Sequence, residues 1–191
     1  TGQYNVAIGA NSLGAGAGAS TTFGSCVAVG SATLYKNTAS NNTAVGQAAL
    51  QNNTTGTPND AFGYQALYSN TTGYQNVAVG YAALTANTIG WYNTAIGSSA
   101  LSANTTGIYN TAVGRSSLSS NIVGQNNTAV GMAALQTNTA SNNTAVGNQA
   151  LVNNTTGTPN DAFGNQALYN NTTGYQNVAV GYQSLNTNTT G

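Results

Sequence analysis

Residues 127–135 read Asn-Thr-Ala-Val-Gly-Met-Ala-Ala-Leu, and versions of this unit recur along most of the 191-residue chain. The glycine of the unit, here called the core glycine, returns every 17 residues from Gly46 onward, with one step of 16. A fixed short period is the signature of a solenoid, in which successive coils stack along one axis. We therefore expect one elongated stack rather than a set of globular domains. The core glycines are Gly9, Gly30, Gly46, Gly63, Gly80, Gly97, Gly114, Gly131, Gly147, Gly164 and Gly181.

Two apolar positions keep the same distance from every core glycine. The residue two before it is always Ala and the residue four after it is always Leu. An unbroken apolar column fits stacked strands, which place equivalent side chains about 4.8 Å apart, whereas an α-solenoid needs roughly twice as many residues in each repeat. We therefore predict an all-β protein, a parallel β-solenoid or β-roll of about eleven coils of 16–17 residues. The Leu column includes Leu50, Leu67, Leu84, Leu101, Leu118 and Leu135.

Each coil is predicted to contain two short strands. One runs through Asn-Thr-Ala-Val-Gly and the other through Ala-Leu, and a polar turn around Asn-Thr-Thr-Gly closes the coil. The glycine of that turn, as in Gly56 and Gly73, is expected to have a positive φ. In the first strand Val and Ala point to opposite faces. One face should therefore fill the coil while the other packs on a neighbouring chain, so we expect a homo-oligomer.

Two columns of Asn are predicted to act as structural ladders. One lies four residues before the core glycine and the other seven after it, and stacked Asn amides can bond to the coils above and below. The first column is interrupted by Cys26, for which a buried and inert thiol is expected. The first Asn column includes Asn42, Asn59, Asn76, Asn93, Asn110 and Asn127.

The regularity of the repeat divides the chain into two regions. Residues 1–30 are predicted to be irregular first coils, because a Gly-Ala insertion at residues 14–20 forms either a bulged coil or a flexible linker. Residues 31–191 are the regular coils, and a six-coil block is duplicated in them at an offset of 101 residues. The chain stops inside a turn, so we expect either that more chain follows or that the ends join other subunits.

The charge of the chain leaves few chemical functions open. It has two Lys or Arg residues, two acidic residues and no His, which does not favour nucleic acid or an acidic membrane as a partner. No apolar run approaches the roughly 18 residues that span a bilayer. Asp60 and Asp161 are six coils, or roughly 29 Å, apart, too far for paired acid–base catalysis. We predict no enzyme, cofactor or metal site, and we expect each Asp to cap the turn after Pro58 or Pro159.

The aromatic residues supply the candidate recognition surface. Tyr74 and Trp91 share a turn position in neighbouring coils, and Tyr92 and Tyr109 flank them. Aromatic faces beside Asn and Thr side chains suit recognition of a sugar or a protein surface. Packing between the turns of neighbouring chains is the alternative interpretation.

The repeats at residues 5–9, 76–80 and 93–97 resemble the head repeats of trimeric autotransporter adhesins. The longer unit, Asn-Thr-Ala-Val-Gly-x-x-Ala-Leu-x-x-Asn-Thr-Thr-Gly, is similar to the repeat tracts of phage tail-fibre proteins, and the likeness spans residues 3–191. The resemblance implies a left-handed parallel β-roll that is trimeric. It also implies an extracellular location, at a cell surface or on a virion.

Three functions follow from these observations. The leading hypothesis is a structural and adhesive extracellular fibre segment that binds a cell-surface glycan or protein receptor, with no nucleic-acid partner and no membrane insertion. An ice-binding β-solenoid is the first alternative, because Thr fills the position eight after the core glycine in nearly every coil and is replaced at Ile122. The second alternative is a subunit of a filament that assembles end to end.

Overall fold

The computed structural model describes residues 3–14 and 23–191. These ranges contain eleven short strands and no helix. In chain order the strands are β1 (Val6–Ile8), β2 (Val27–Val29), β3 (Thr43–Val45), β4 (Asn59–Phe62), β5 (Asn76–Val79), β6 (Thr94–Ile96), β7 (Thr111–Val113), β8 (Thr128–Val130), β9 (Asn143–Val146), β10 (Asn160–Phe163) and β11 (Asn177–Val180).

All eleven strands form one parallel sheet in sequence order. Every strand pairs in register with its counterpart in the next coil, so Val27 lies opposite Thr43, 16 residues later, and Thr43 lies opposite Asp60, 17 residues later. The register of the sheet thus follows the period of the sequence. This confirms the predicted parallel β-solenoid. Apart from Gly14, the Gly-Ala insertion lies outside the described residues.

The strands alternate between the interior of the coil and its outer surface, as successive strand residues must. In β7, Ala112 is fully buried while Thr111 and Val113 are partly exposed. The Ala column therefore points inward and packs with the fully buried Leu column, which includes Leu101 and Leu118. The residues one and three before each core glycine form the outer face of the sheet.

The prediction of a second strand in each coil is wrong. The segment after the core glycine is a series of turns, in which Ser99 and Leu101 have φ of +57° and +50°, outside the range of a β-strand. Hydrogen bonding nevertheless continues: Leu101 N donates to Ser117 O at 3.0 Å, and Asn104 N donates to Leu101 O at 3.1 Å. A left-handed residue costs about 1–2 kcal/mol, and full burial of a Leu side chain offsets this by about 1.5–3 kcal/mol.

The glycines that have a positive φ are also not the ones predicted. The core glycines have φ between +119° and +142°, whereas Gly56 and Gly73 in the polar turn are not among the residues with positive φ. These turn glycines are required by space instead. A Cβ on Gly56 would collide with Gly73 O and lie 2.7 Å from Asn53 Oδ1.

Candidate functional site

From Asn42 to Asn160, the Asn column four residues before the core glycine forms a continuous buried ladder, here called the strand ladder. At a typical step, Asn93 Nδ2 donates to Asn76 Oδ1 at 3.2 Å and to Gly107 O at 2.8 Å. The same Asn76 Oδ1 accepts the backbone N–H of Asn93 at 3.0 Å. Each amide therefore joins two coils and satisfies buried backbone groups that would otherwise be costly. This pattern links Asn42, Asn59, Asn76, Asn93, Asn110 and Asn127.

The column seven residues after the core glycine forms a second buried ladder, here called the turn ladder. Asn87 Nδ2 donates to Asn70 Oδ1 at 2.8 Å and to Gly90 O at 3.0 Å. Gly90 O also accepts Asn76 Nδ2 of the strand ladder at 2.9 Å. The two ladders thus meet at the carbonyl of each turn glycine. They fix the backbone from which the following residue, Trp91, projects.

The 16-residue coil interrupts the turn ladder. Ala140 replaces the turn glycine there, and Asn138 Nδ2 donates to Ala140 O at 2.8 Å instead of continuing the ladder. As a result, Asn121 Oδ1 is buried without a hydrogen-bond partner among the described residues. The shorter turn therefore removes one rung and leaves a buried polar atom unsatisfied, a costly arrangement.

Cys26 occupies the strand-ladder position in the other 16-residue coil. Its side chain is fully buried, and its Sγ lies 3.3 Å from Ala39 O and 3.8 Å from Asn37 Nδ2. Burial raises the pKa of the Cys26 thiol, because the interior disfavours the thiolate. The thiol is therefore held in its unreactive protonated form.

The structure brings the four predicted aromatic side chains together into one cluster, here called the aromatic patch. Tyr74 and Trp91 stack with ring centroids 5.5 Å apart, and Tyr92 and Tyr109 stack at 5.3 Å. The two stacked pairs stand nearly perpendicular: the planes of Trp91 and Tyr109 meet at 75° with centroids 4.8 Å apart. The four rings therefore form one contiguous cluster on the turn side of the solenoid. Whether this patch recognises a ligand stays a prediction.

Sequence reasoning gave no role to three apolar side chains on the same turns, and noted Ile122 only as a break in the Thr column. Ile89, Ile122 and Val123 are all exposed. Ile89 and Val123 lie eight residues before their core glycines, where Thr72 and Thr106 stand in other coils. Comparing this position between coils would have shown that the turns become apolar only in the middle of the chain.

The two Asp residues are not turn caps, which corrects the expectation from the sequence. Asp60 lies within β4, on the outer face of the sheet, between Thr43 and Val77. Neither Asp60 nor Asp161 accepts a hydrogen bond from the described residues. Within residues 3–14 and 23–191, no group of three or more His, Cys, Asp or Glu side chains is placed to hold a metal ion.

The Thr column proposed as an ice-matching array is hydrogen-bonded within the protein. Thr71 Oγ1 donates to Thr88 O at 3.0 Å, and Thr88 Oγ1 donates to Thr105 O at 3.1 Å. The hydroxyl hydrogens of this column are therefore already engaged.

The fold and these surfaces define a class: this chain is a parallel β-solenoid repeat protein. No protein-family model matches the chain, and neither a curated protein nor a solved structure matches it significantly. Among the described residues, no helix is long and apolar enough to cross a membrane. The resemblance to adhesin heads and tail fibres therefore supports a proposal about function and does not assign the chain to a family.

Proposed function

We propose that the chain is a non-enzymatic structural and adhesive segment of an extracellular fibre, the shaft or head of a tail fibre or a surface adhesin. The observation that carries this proposal is the uninterrupted stack of eleven parallel strands. Ten steps of about 4.8 Å give a rod roughly 50 Å long. Every coil bonds to the next, so the stack supplies length and stiffness, which are the properties that a fibre segment needs.

We further infer that three copies pack through the outer face of the sheet. The column one before the core glycine is Val, Ile or Phe, and Phe62 and Ile96 are 40% and 41% exposed in the single chain. The interior of the coil does not use these side chains. A long apolar column on a sheet face is expected to be covered by another molecule, and the adhesin-like repeats favour a homotrimer.

The two alternatives are less well supported. An ice-binding role loses support because the Thr hydroxyls donate to carbonyls of the next coil. An end-to-end filament has the same fold and differs in how copies associate. Solution mass separates it from a closed trimer, because a filament grows with concentration.

Replacing Val45, Val79 and Val113 with Lys tests the outer face. These residues point outward in every second coil, so the new charges stand about 10 Å apart and repel one another only weakly at physiological salt. We expect light scattering across a dilution series to give three chains for the parent and one chain for the variant. The variant should not form the trimer, because burying three Lys side chains in an interface without partners costs too much free energy.

The matched control places three Lys on exposed turn residues in coils that are not neighbours, Thr55, Thr106 and Thr173, whose side chains make no hydrogen bonds in the described structure. This control should keep the mass of the parent. Far-ultraviolet circular dichroism should be the same for all three proteins. A parent that has the mass of one chain at every concentration would contradict the trimer, and a mass that rises with concentration would favour the filament.

A further inference from the structure

We propose that the aromatic patch formed by Tyr74, Trp91, Tyr92 and Tyr109 binds a neutral oligosaccharide. This inference rests on the proposed adhesive function and names the class of ligand for it. Its basis is a local departure from the repeat, in side chains that the fold does not require, combined with a ring geometry and a lack of charge that suit a sugar.

The repeat itself shows that the fold does not need these aromatic residues. The position six before the core glycine is Tyr74 and Trp91 in two neighbouring coils, but it is Thr57 and Thr158 in others. Those coils pair in the same parallel register. Aromatic residues at this position therefore add something other than the stability of the stack.

The backbone conformation at the position five residues before the core glycine supports the same conclusion. Tyr92 and Tyr109 have φ of +54° and +56°, a left-handed conformation that bulky residues adopt at a cost and that Asn tolerates well. The same position is Asn126 in the following coil, with φ of +56°. The left-handed φ itself belongs to the fold, since Gln75 and Gln176 have it at the same position, with φ of +54° and +56°. The two Tyr residues are thus retained at a conformational cost that Asn would reduce.

The arrangement of the rings suits the apolar face of a pyranose. Tyr74 and Trp91 are parallel within 5°, and Tyr92 and Tyr109 within 6°. Within each stacked pair the facing sides of the two rings cover one another, so a ligand can reach only their outer faces and edges; Tyr92 and Tyr109 are 42% and 49% exposed. The patch extends over three coils, or roughly 10 Å along the axis. An exposed face of a rigid aromatic ring can bind the C–H face of a sugar ring with little loss of side-chain freedom.

The surroundings of the patch are polar and uncharged. In the column five before the core glycine, the exposed amides of Gln75 and Asn126 lie directly on either side of Tyr92 and Tyr109. The patch contains none of the four charged residues of the chain. Amides can donate to and accept from sugar hydroxyls, whereas an anionic glycan would find no cation in the patch. The charge of the site therefore favours a neutral ligand.

Trp91 is the only tryptophan of the chain, so its fluorescence reports directly on the patch. The test screens the full chain on an array of neutral and acidic glycans, and then follows Trp91 emission during titration with cellopentaose, chitopentaose and pentagalacturonic acid. We expect neutral glycans to bind and to shift the emission, and the acidic oligomer to leave it unchanged.

The variant Tyr92→Asn with Tyr109→Asn removes one stacked ring pair and places Asn at a position where Asn126 has the same φ. The solenoid should therefore stay folded and Trp91 stays in place as the reporter. We expect affinity for the neutral glycan to fall by about tenfold or more, since the loss of two stacking rings is worth at least about 1.4 kcal/mol. Tyr175→Ala is the matched control, because Tyr175 has the same repeat position as Tyr74 but no aromatic partner among the described residues. It should leave binding unchanged.

Several results would overturn the inference. These are no neutral glycan bound on the array, stronger binding of acidic glycans, or equal binding by the parent and the double Asn variant. A double variant whose solution mass falls without sugar would instead make the patch a contact between copies. The experiments distinguish failure of the trimer proposal from failure of the sugar-site proposal. A trimer that binds no neutral glycan rejects only the sugar site, and a single chain that binds one rejects only the trimer.

Discussion

Residues 70–81 and residues 171–182 have the same twelve-residue sequence but different surroundings. Tyr74 is 36% exposed and stacks on Trp91, whereas Tyr175 is 62% exposed. On the outer face Val79 is partly buried, but Val180 is 72% exposed. Because the two stretches are identical, the difference comes from the coil that follows residues 70–81. In this solenoid a coil obtains its environment from its neighbours, as nearest-neighbour models of repeat proteins assume.

The largest expected difference between the two copies is at the core glycine. A Cβ on Gly80 would lie 2.7 Å from the backbone of Gly97, whereas a Cβ on Gly181 would have no atom within 4 Å. Both have a φ that suits glycine. Gly80→Ala should reduce the free energy of unfolding by about 3 kcal/mol or more, since overpacking adds to backbone strain, and Gly181→Ala by about 1 kcal/mol. Denaturant unfolding followed by circular dichroism measures both, and equal losses would contradict the contact between coils.

A smaller difference is expected at the strand ladder. The side chain of Asn76 donates to Asn59 Oδ1 and Gly90 O and accepts two bonds from Asn93. That of Asn177 makes one bond, to Asn160 Oδ1. We expect Asn76→Ala to cost about 2–3 kcal/mol, because it leaves buried groups unsatisfied, and Asn177→Ala about 1 kcal/mol. The same unfolding experiment applies. A cost for Asn177→Ala that matches or exceeds that of Asn76→Ala would mean that the ladder adds little beyond single bonds.

The smallest difference is expected at the tyrosines. Tyr74→Ala removes a ring stacked on Trp91 and should cost about 0.5–1.5 kcal/mol. It should also change the emission of Trp91, because the ring that covers the indole is lost. Tyr175→Ala should leave Trp91 emission unchanged and alter stability very little. Identical spectra for the parent and Tyr74→Ala would show that the two rings do not stack in solution.

The sequence predicts which residues stack in columns better than it predicts the conformation of the backbone. A fixed period places Tyr74 beside Trp91 and Asn76 beside Asn93 without knowledge of the coil's shape, because equivalent positions must stack. It does not reveal that Leu101 is left-handed. An Ala-Leu pair looks like part of a strand, and the hydrogen bond from Leu101 N to Ser117 O, which supports the left-handed turn, is made with the next coil.

The local sequence led to the wrong expectation, or to none, at two further positions. Pro58 suggested a turn around Asp60, but the pairing of Asp60 with Thr43 and Val77 keeps it in a strand. The break at Asn121 was also not predicted, since the residue that causes it, Ala140, lies in the following coil. Both errors arise because contacts between coils decide conformations that a single coil leaves open.

The asparagine ladders also give the rod an electrical direction. At most rungs of both ladders the Nδ2 of an Asn donates to the Oδ1 of the coil before it, as Asn76 does to Asn59 and Asn87 does to Asn70. The side-chain dipoles are therefore aligned head to tail, and aligned hydrogen bonds polarise one another. Along these two columns the N-terminal side of a coil presents amide hydrogens and the C-terminal side presents carbonyl oxygens. The backbone N–H groups point both ways, as Val77 N donates to Asn93 O and Gly80 N donates to Phe62 O. At their Asn columns, two rods stacked in the same direction bring donors to acceptors, whereas two rods that meet head to head bring like groups together.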